Sequence, residues 1–316
     1  RWSASHDALT RLANRSLFQE RLDGALEQAA ESGRAVGVML LDMDHFKQIN
    51  DSLGHDAGDM LLKMFAKRLR GVVRHCDVVA RFGGDEFAVI LPELDGEHSL
   101  LRVSRAIQQR LREPFVHAGR ILDCRVSIGA SLYPRHGKTA DELLKNADIA
   151  LYAAKGAGRG LVTVFEPHMR DNVQRRISMV QQARHAIEDD RVVPYYQPKL
   201  DLATGSLVGF EALLRWRRPN GRISSPGAIE AAFEDSDVAA QISDRMIERV
   251  IANMRTWLDR GIEFGSVAVN ASAAEFRRDN FAERVLEQLR RADIPTRHFQ
   301  LEITETVFLG RGAEYV

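Results

Sequence analysis

Between Val78 and Leu91 the chain reads as strand, reversal and strand, and this reversal limits the possible folds more than any other segment. Val78-Val79-Ala80-Arg81-Phe82 and Phe87-Ala88-Val89-Ile90-Leu91 are rich in β-branched and aromatic residues, and Gly83-Gly84 falls where a two-residue hairpin loop belongs. A turn without side chains lets a ligand approach the backbone closely. The acids that follow, Asp85 and Glu86, offer the hard oxygens that Mg²⁺ takes in phosphoryl and nucleotidyl transfer. Most Gly-Gly-acidic turns are solvated hairpin tips, so spacing alone leaves both readings open.

The remaining β and helical patterns place that hairpin in an α/β domain. Helical periodicity covers Arg21 to Ser32, Asp56 to Val73, Leu100 to Arg112 and Asp141 to Lys155, and strands are expected at Ala35 to Asp44, Ile121 to Tyr133 and Leu161 to Phe165. At 316 residues the chain suits about two domains. The first is expected over 1–166 and an exposed linker helix over 167–190. A second domain over 191–316 again alternates strand and helix: Val192 to Leu202, Leu207 to Trp216, helix Asp237 to Asp259, Ser266 to Ala271, helix Phe281 to Ala292, and Phe299 to Glu305.

Composition narrows the function classes. Lys plus Arg equals Asp plus Glu at 44 each, so no overall charge draws the chain to nucleic acid, and phosphate binding must be local. No run of about 18 uncharged apolar residues is present to cross a bilayer. Cys76 and Cys124 are too few for a disulfide framework and lack metal-ligand spacing, which favours a reducing, cytoplasmic setting for these domains, although the full-length protein can still be membrane-anchored. The start at Arg1, without a leader, suggests a piece of a longer protein.

Several charged residues have spacings with two meanings. Asp42 and Asp44 lie two apart on a predicted strand, so both carboxylates face one side, either as metal ligands or as ordinary polar groups at a strand exit. Lys155 and Arg159 are spaced to share a helix face, and such pairs are usually solvated surface. Arg74 and Asp77 have the spacing of a surface ion pair. Asn50 suits a turn, and Asp59 a helix N-terminal position.

The string Arg81-Phe82-Gly83-Gly84-Asp85-Glu86-Phe87 resembles the signature of the GGDEF family, diguanylate cyclases with the palm-like α/β fold of nucleotidyl cyclases. His6-Asp7-Ala8-Leu9-Thr10-Arg11-Leu12-Ala13-Asn14-Arg15, Leu41 to Asp51 with Gly54 to Asp59, and Ala147 to Lys155 with Gly158-Arg159 resemble its other motifs in the same order. The resemblance covers about residues 3 to 165. It implies that Asp42, Asp85 and Glu86 bind Mg²⁺ (or Mn²⁺), and that Asp85 and Glu86 take part in catalysis. It also implies that Lys47, Lys155 and Arg159 neutralise the GTP triphosphate, that Arg81 binds GTP, that Asn50 and Asp59 recognise guanine, and that Arg74 and Asp77 form an inhibitory site for product cyclic di-GMP. The family's logic further implies a homodimer, because two GTP molecules must meet, and an upstream sensory domain outside this chain.

Tyr196 to Leu202, Gly209 to Trp216, Val269-Asn270-Ala271-Ser272 and Leu301 to Glu305 resemble the opening of an EAL domain, a cyclic di-GMP phosphodiesterase built on a TIM-like (β/α) barrel. That resemblance implies metal ligation by Glu211, Asn270 and Glu302 and phosphate contact by Arg215. It departs from the family pattern at Phe233, and it stops before the family's Asp-Asp pair and catalytic Lys. Phosphodiesterase activity is not expected of this chain alone. Two function classes follow: a Mg²⁺-dependent diguanylate cyclase fused to a phosphodiesterase domain, or a GTP-binding regulatory module serving a protein that is chiefly a phosphodiesterase.

Overall fold

The apolar segment Ala35–Met43 forms β1 and takes the middle of a five-stranded sheet, because neighbouring strands bury it on both edges. A computed structural model describes residues 5–117, 120–122, 124–271, 273–276, 278 and 280–303. The chain divides into two units, Arg1–Val173 and Gln174–Val316.

In the first unit α1 (Arg15–Ser32) starts where the Asn14 side chain accepts the Leu17 N–H, and it ends at Gly33, whose φ of 70° suits a left-handed cap. After β1 come α2 (Phe46–Leu53) and α3 (His55–Val72), then β2 (Val78–Gly83) and β3 (Glu86–Leu94). The sequence pattern does not show α2, a short helix that starts at His45 without a side-chain cap. α4 (Glu97–Leu111) follows. The single strand expected over Ile121 to Tyr133 is broken into β5 (Arg120–Leu122), which pairs with β4 (Phe115–His117), and β6 (Val126–Tyr133). α5 (Ala140–Gly156) opens on a reciprocal capping box between Thr139 and Glu142, and β7 (Val162–Val164) completes the sheet in the order β2-β3-β1-β6-β7. Among the described strands of this sheet, β6 and β7 are parallel and the other neighbours antiparallel.

Two apolar layers cover this sheet. Leu61, Phe65 and Leu69 of α3 and Leu100 and Ile107 of α4 pack with Met39, Leu41, Phe87 and Val89. Phe18 and Leu22 of α1 and Leu143 and Ala147 of α5 pack with Val38, Ala88 and Ile90. Alternate β1 residues enter opposite layers, as a strand buried on both faces requires.

The helix expected as an exposed linker forms as α6 (Pro167–Glu188), but one face of its last turns is buried: Ala183, Ala186 and Ile187 enter the core of the second unit. That unit continues with β8 (Val192–Leu200), β9 (Leu207–Arg217), β10 (Ile223–Ser224), a 3₁₀ segment at Pro226–Glu234, α7 (Ser236–Asp259), β11 (Ser266–Ala271), α8 (Ala273–Phe276), α9 (Phe281–Arg291) and β12 (Phe299–Ile303). β9, β11 and β12 are parallel neighbours linked through helices, and β8 and β10 pair with β9 antiparallel. The described strands form an open sheet, the start of a β/α arrangement rather than a closed barrel.

Candidate functional site

The reversal between β2 and β3 sits one residue later than the sequence suggests. Gly83 still pairs with Glu86, so the two loop residues are Gly84 and Asp85, and a register irregularity between Arg81 and Gly83 absorbs the shift. Gly83 and Gly84 have φ of 147° and 49°, backbone that side-chain-bearing residues rarely adopt.

Pairing then gathers the acids. Asp42, near the end of β1, lies directly opposite Glu86 at the start of β3. Directly opposed residues share a sheet face, and two like charges there repel unless a cation accompanies them. Asp85 precedes Glu86, and its carbonyl accepts the Met43 N–H at 3.4 Å. Lys155, on the last turn of α5, places Nζ 2.7 Å from Asp42 Oδ2. Burial pushes the Asp42 carboxyl up, Lys155 draws it back, and Asp85 and Asp44 push it up again, leaving a raised pKa. Among the described residues no group of three or more His, Cys, Asp or Glu forms a metal cage by itself. Mg²⁺ usually binds one or two carboxylates and completes its shell with water and substrate phosphates, and these hard, mutually repelling oxygens fit that mode.

Asp44 belongs elsewhere. It lies just past the end of β1, is 5% exposed, and directs Oδ1 to the Ser127 hydroxyl at 2.8 Å and Oδ2 to the Gly160 N–H at 2.9 Å. Its carboxylate is taken up by the fold.

Arg81, expected on GTP, is also committed. Its Nη1 donates to both carboxylate oxygens of Asp7 at 3.1 Å, and its Nε and Nη2 donate to the Gly84 carbonyl at 3.0 and 2.7 Å. The side chain is 10% exposed. Arg81 therefore braces the glycine turn against the Asp7-Thr10 loop, where the Thr10 N–H and hydroxyl also reach Asp7.

Arg159 lies beyond α5 with φ of 60°, so it does not share a helix face with Lys155. Its N–H donates to the Ala154 carbonyl at 3.2 Å, and its side chain is exposed. Lys47, on α2, is exposed too.

A second group forms where α2 meets α3. Asn50 Oδ1 is buried without a hydrogen-bond partner, and a Cβ on Gly58 would lie 1.9 Å from it. Exposed Asp59 is the next residue along α3. Gly58 was not singled out from the sequence, although a Gly inside an otherwise helical pattern costs about 1 kcal/mol against Ala and signals a packing need.

At the expected inhibitory site, Arg74 donates to Asp77 at 2.9 Å and to the Pro92 carbonyl at 2.9 Å, and the Arg74 N–H donates to Asp77 at 2.7 Å. The Asp77 side chain is 1% exposed, against 51% for Arg74. Arg74 alone of this pair presents a surface to a ligand, and Asp77 orients it.

In the second unit Asn270 pairs in register with Glu302 and donates Nδ2 to Glu211 Oε1 at 2.8 Å. Lys199 forms an ion pair with Glu302. All three expected metal ligands therefore lie on neighbouring strands. A pocket of about 260 Å³ beside them is lined by Arg215, Phe233, Met246 and Asn270, among others. Ser272, Thr304 and Glu305 lie outside the described residues.

The chain matches the profile of the diguanylate cyclase GGDEF domain over residues 4–161 and that of the EAL domain over residues 180–314. It belongs to the GGDEF–EAL family of cyclic di-GMP signalling proteins. This GGDEF–EAL chain is 38% identical over 309 residues to the cyclic di-GMP phosphodiesterase NbdA of Pseudomonas aeruginosa, covering 98% of this chain and 39% of NbdA. It is 37% identical over 303 residues to the bifunctional diguanylate cyclase/cyclic di-GMP phosphodiesterase MucR of the same organism, covering 96% of this chain and 44% of MucR. The chain thus spans about two fifths of the length of these relatives. Among solved structures, the GGDEF domain of TpbB (YfiN) from Pseudomonas aeruginosa is 42% identical with a TM-score of 0.52, covering 54% of this chain and 99% of that one. No helix among the described residues is long and apolar enough to cross a membrane.

Proposed function

We propose that the first unit is a Mg²⁺-dependent diguanylate cyclase that joins two GTP molecules into cyclic di-GMP and pyrophosphate, restrained by product at Arg74 and attached to a cyclic di-GMP phosphodiesterase domain. The supporting observation is Asp42 facing Glu86 across β1 and β3, with Asp85 in the turn and Lys155 on Asp42. Bound Mg²⁺ (or Mn²⁺) would stabilise charge on the attacking and leaving oxygens. Asp42 and Asp85 would hold it, with Glu86 as a further ligand or as the acceptor of the ribose 3′-hydroxyl proton. Lys155, Arg159 and Lys47 neutralise the triphosphate, and Lys155 leaves Asp42 to do so. Asn50 and Asp59 read guanine, the carboxylate accepting from ring and exocyclic N–H groups. Arg81 keeps the Gly84 carbonyl fixed and stays off the nucleotide.

Each chain presents one GTP, so activity requires two chains facing one another. Replacing Glu86 with Ala should lower turnover by roughly two to four orders of magnitude. Near-normal turnover in that variant would remove Glu86 from the mechanism.

A second reading, a GTP-binding regulatory module, is favoured by the description of NbdA as a phosphodiesterase. Tight GTP binding without product at any protein concentration would select it.

A further inference from the structure

Asp44 is a buried acid for which the proposed chemistry has no use. With Ser127 it holds the N–H side of Gly160: the Gly160 N–H lies 2.9 Å from Asp44 Oδ2 and 3.1 Å from Ser127 Oγ. The carbonyl side is held from α4 and the residue after it, where Gln108 Nε2 and Arg112 Nη2 donate to the Gly160 carbonyl at 2.8 and 2.7 Å. Gly160 is buried, while its neighbour Arg159 is exposed in the left-handed region at φ 60°. An exposed arginine on an irregular turn ordinarily samples many positions. Here the residue after it is fixed at both its N–H and its carbonyl, and its own N–H is tied to Ala154. The same β1 terminus therefore meets the end of the α5 segment twice, through Asp42 with Lys155 and through Asp44 with Gly160.

We propose that Asp44 is a positioning residue that acts through the clamped Gly160 backbone to hold Arg159 where it meets the nucleotide triphosphate. This rests on the cyclase reading of the site. The Asp42–Lys155 contact is partly exposed, whereas the Asp44–Gly160 contact is buried. Nucleotide binding can thus draw on a preorganised Arg159 without first ordering the turn.

The test is a double-mutant cycle read as the dissociation constant for 3′-deoxy-GTP with Mg²⁺, a probe that lacks the attacking hydroxyl and cannot turn over. Asp44→Ala and Arg159→Ala should each weaken binding about tenfold, the scale of one charge-assisted phosphate contact. The double variant should bind no more weakly than Arg159→Ala alone. Asp44→Asn should recover part of the loss, because an amide oxygen can still accept the Gly160 N–H. If Asp44→Ala does not fold, the paired Gln108→Met and Arg112→Met variant releases Gly160 at its carbonyl and should show the same non-additivity with Arg159→Ala. Additive losses, or unchanged affinity in folded Asp44→Ala, overturn the proposal. Failure of the unaltered chain to bind the probe would overturn the cyclase reading itself and this inference with it.

Discussion

At Asp42, burial and two neighbouring acids raise the carboxyl pKa against the pull of Lys155. An acid whose folded pKa exceeds its unfolded value loses its stabilising contribution as pH rises from the unfolded value through the folded one. At pH 7 the charged form therefore costs stability, and Asp42→Asn should raise the melting temperature by about 1–3 °C while abolishing turnover. A lowered melting temperature by calorimetry would contradict this. Asp7 has the opposite sign: burial raises its pKa, but hydrogen bonds from Thr10 and Arg81 outweigh burial and leave it lowered. Its contribution is complete above the unfolded pKa near 3.8 and is lost as pH falls through the folded value. Arg81→Met should cost about 1–3 kcal/mol in urea unfolding and move the acid unfolding midpoint upward. An unchanged midpoint would detach Asp7 from the brace. These two residues also show the reach of sequence reading at this scale. The motif made Asp42, Asp85 and Glu86 visible as acids around one hairpin, but an arginine's charge does not reveal its partner. Arg81 turns inward to Asp7, a contact distant in the chain, and Arg159 lies on the turn after α5 with its N–H on the Ala154 carbonyl.

Elements depend on a few close approaches. On β6, a Cβ at Gly129 would sit 2.1 Å from the Ala147 carbonyl and 2.1 Å from the Leu151 N, both backbone atoms of α5. Gly129→Ala should therefore lift α5 from the sheet, cost about 3 kcal/mol of stability, and separate Lys155 from Asp42. A crystal structure of that variant with α5 in place would refute the packing argument. Gly58→Ala presses on Asn50, and the expected outcome is weakened GTP binding measured by calorimetry, with ATP binding little changed. Equal weakening of both nucleotides would remove Asn50 from base recognition. The long elements were legible because their apolar period is strong, as in α3, α7 and the strands β1 and β11. Capless α2 gave too short a pattern to register. The end of α6 reads as polar because its buried stripe consists of two small alanines and one isoleucine.

For the whole molecule, the sequence shows two successive domains through two separate sets of motifs, and the two family profiles match residues 4–161 and 180–314. Dimerisation would leave no comparable trace, since it would reside in contacts between chains rather than in the period or spacing of one chain. The cyclase account nonetheless requires it, because one site carries one GTP. The most direct test is incubation of the chain with GTP and Mg²⁺ across a range of protein concentrations, with Glu86→Ala beside it and products resolved by chromatography. The account predicts cyclic di-GMP whose rate per chain rises with concentration and which vanishes in the variant. GTP bound without product at every concentration would contradict it.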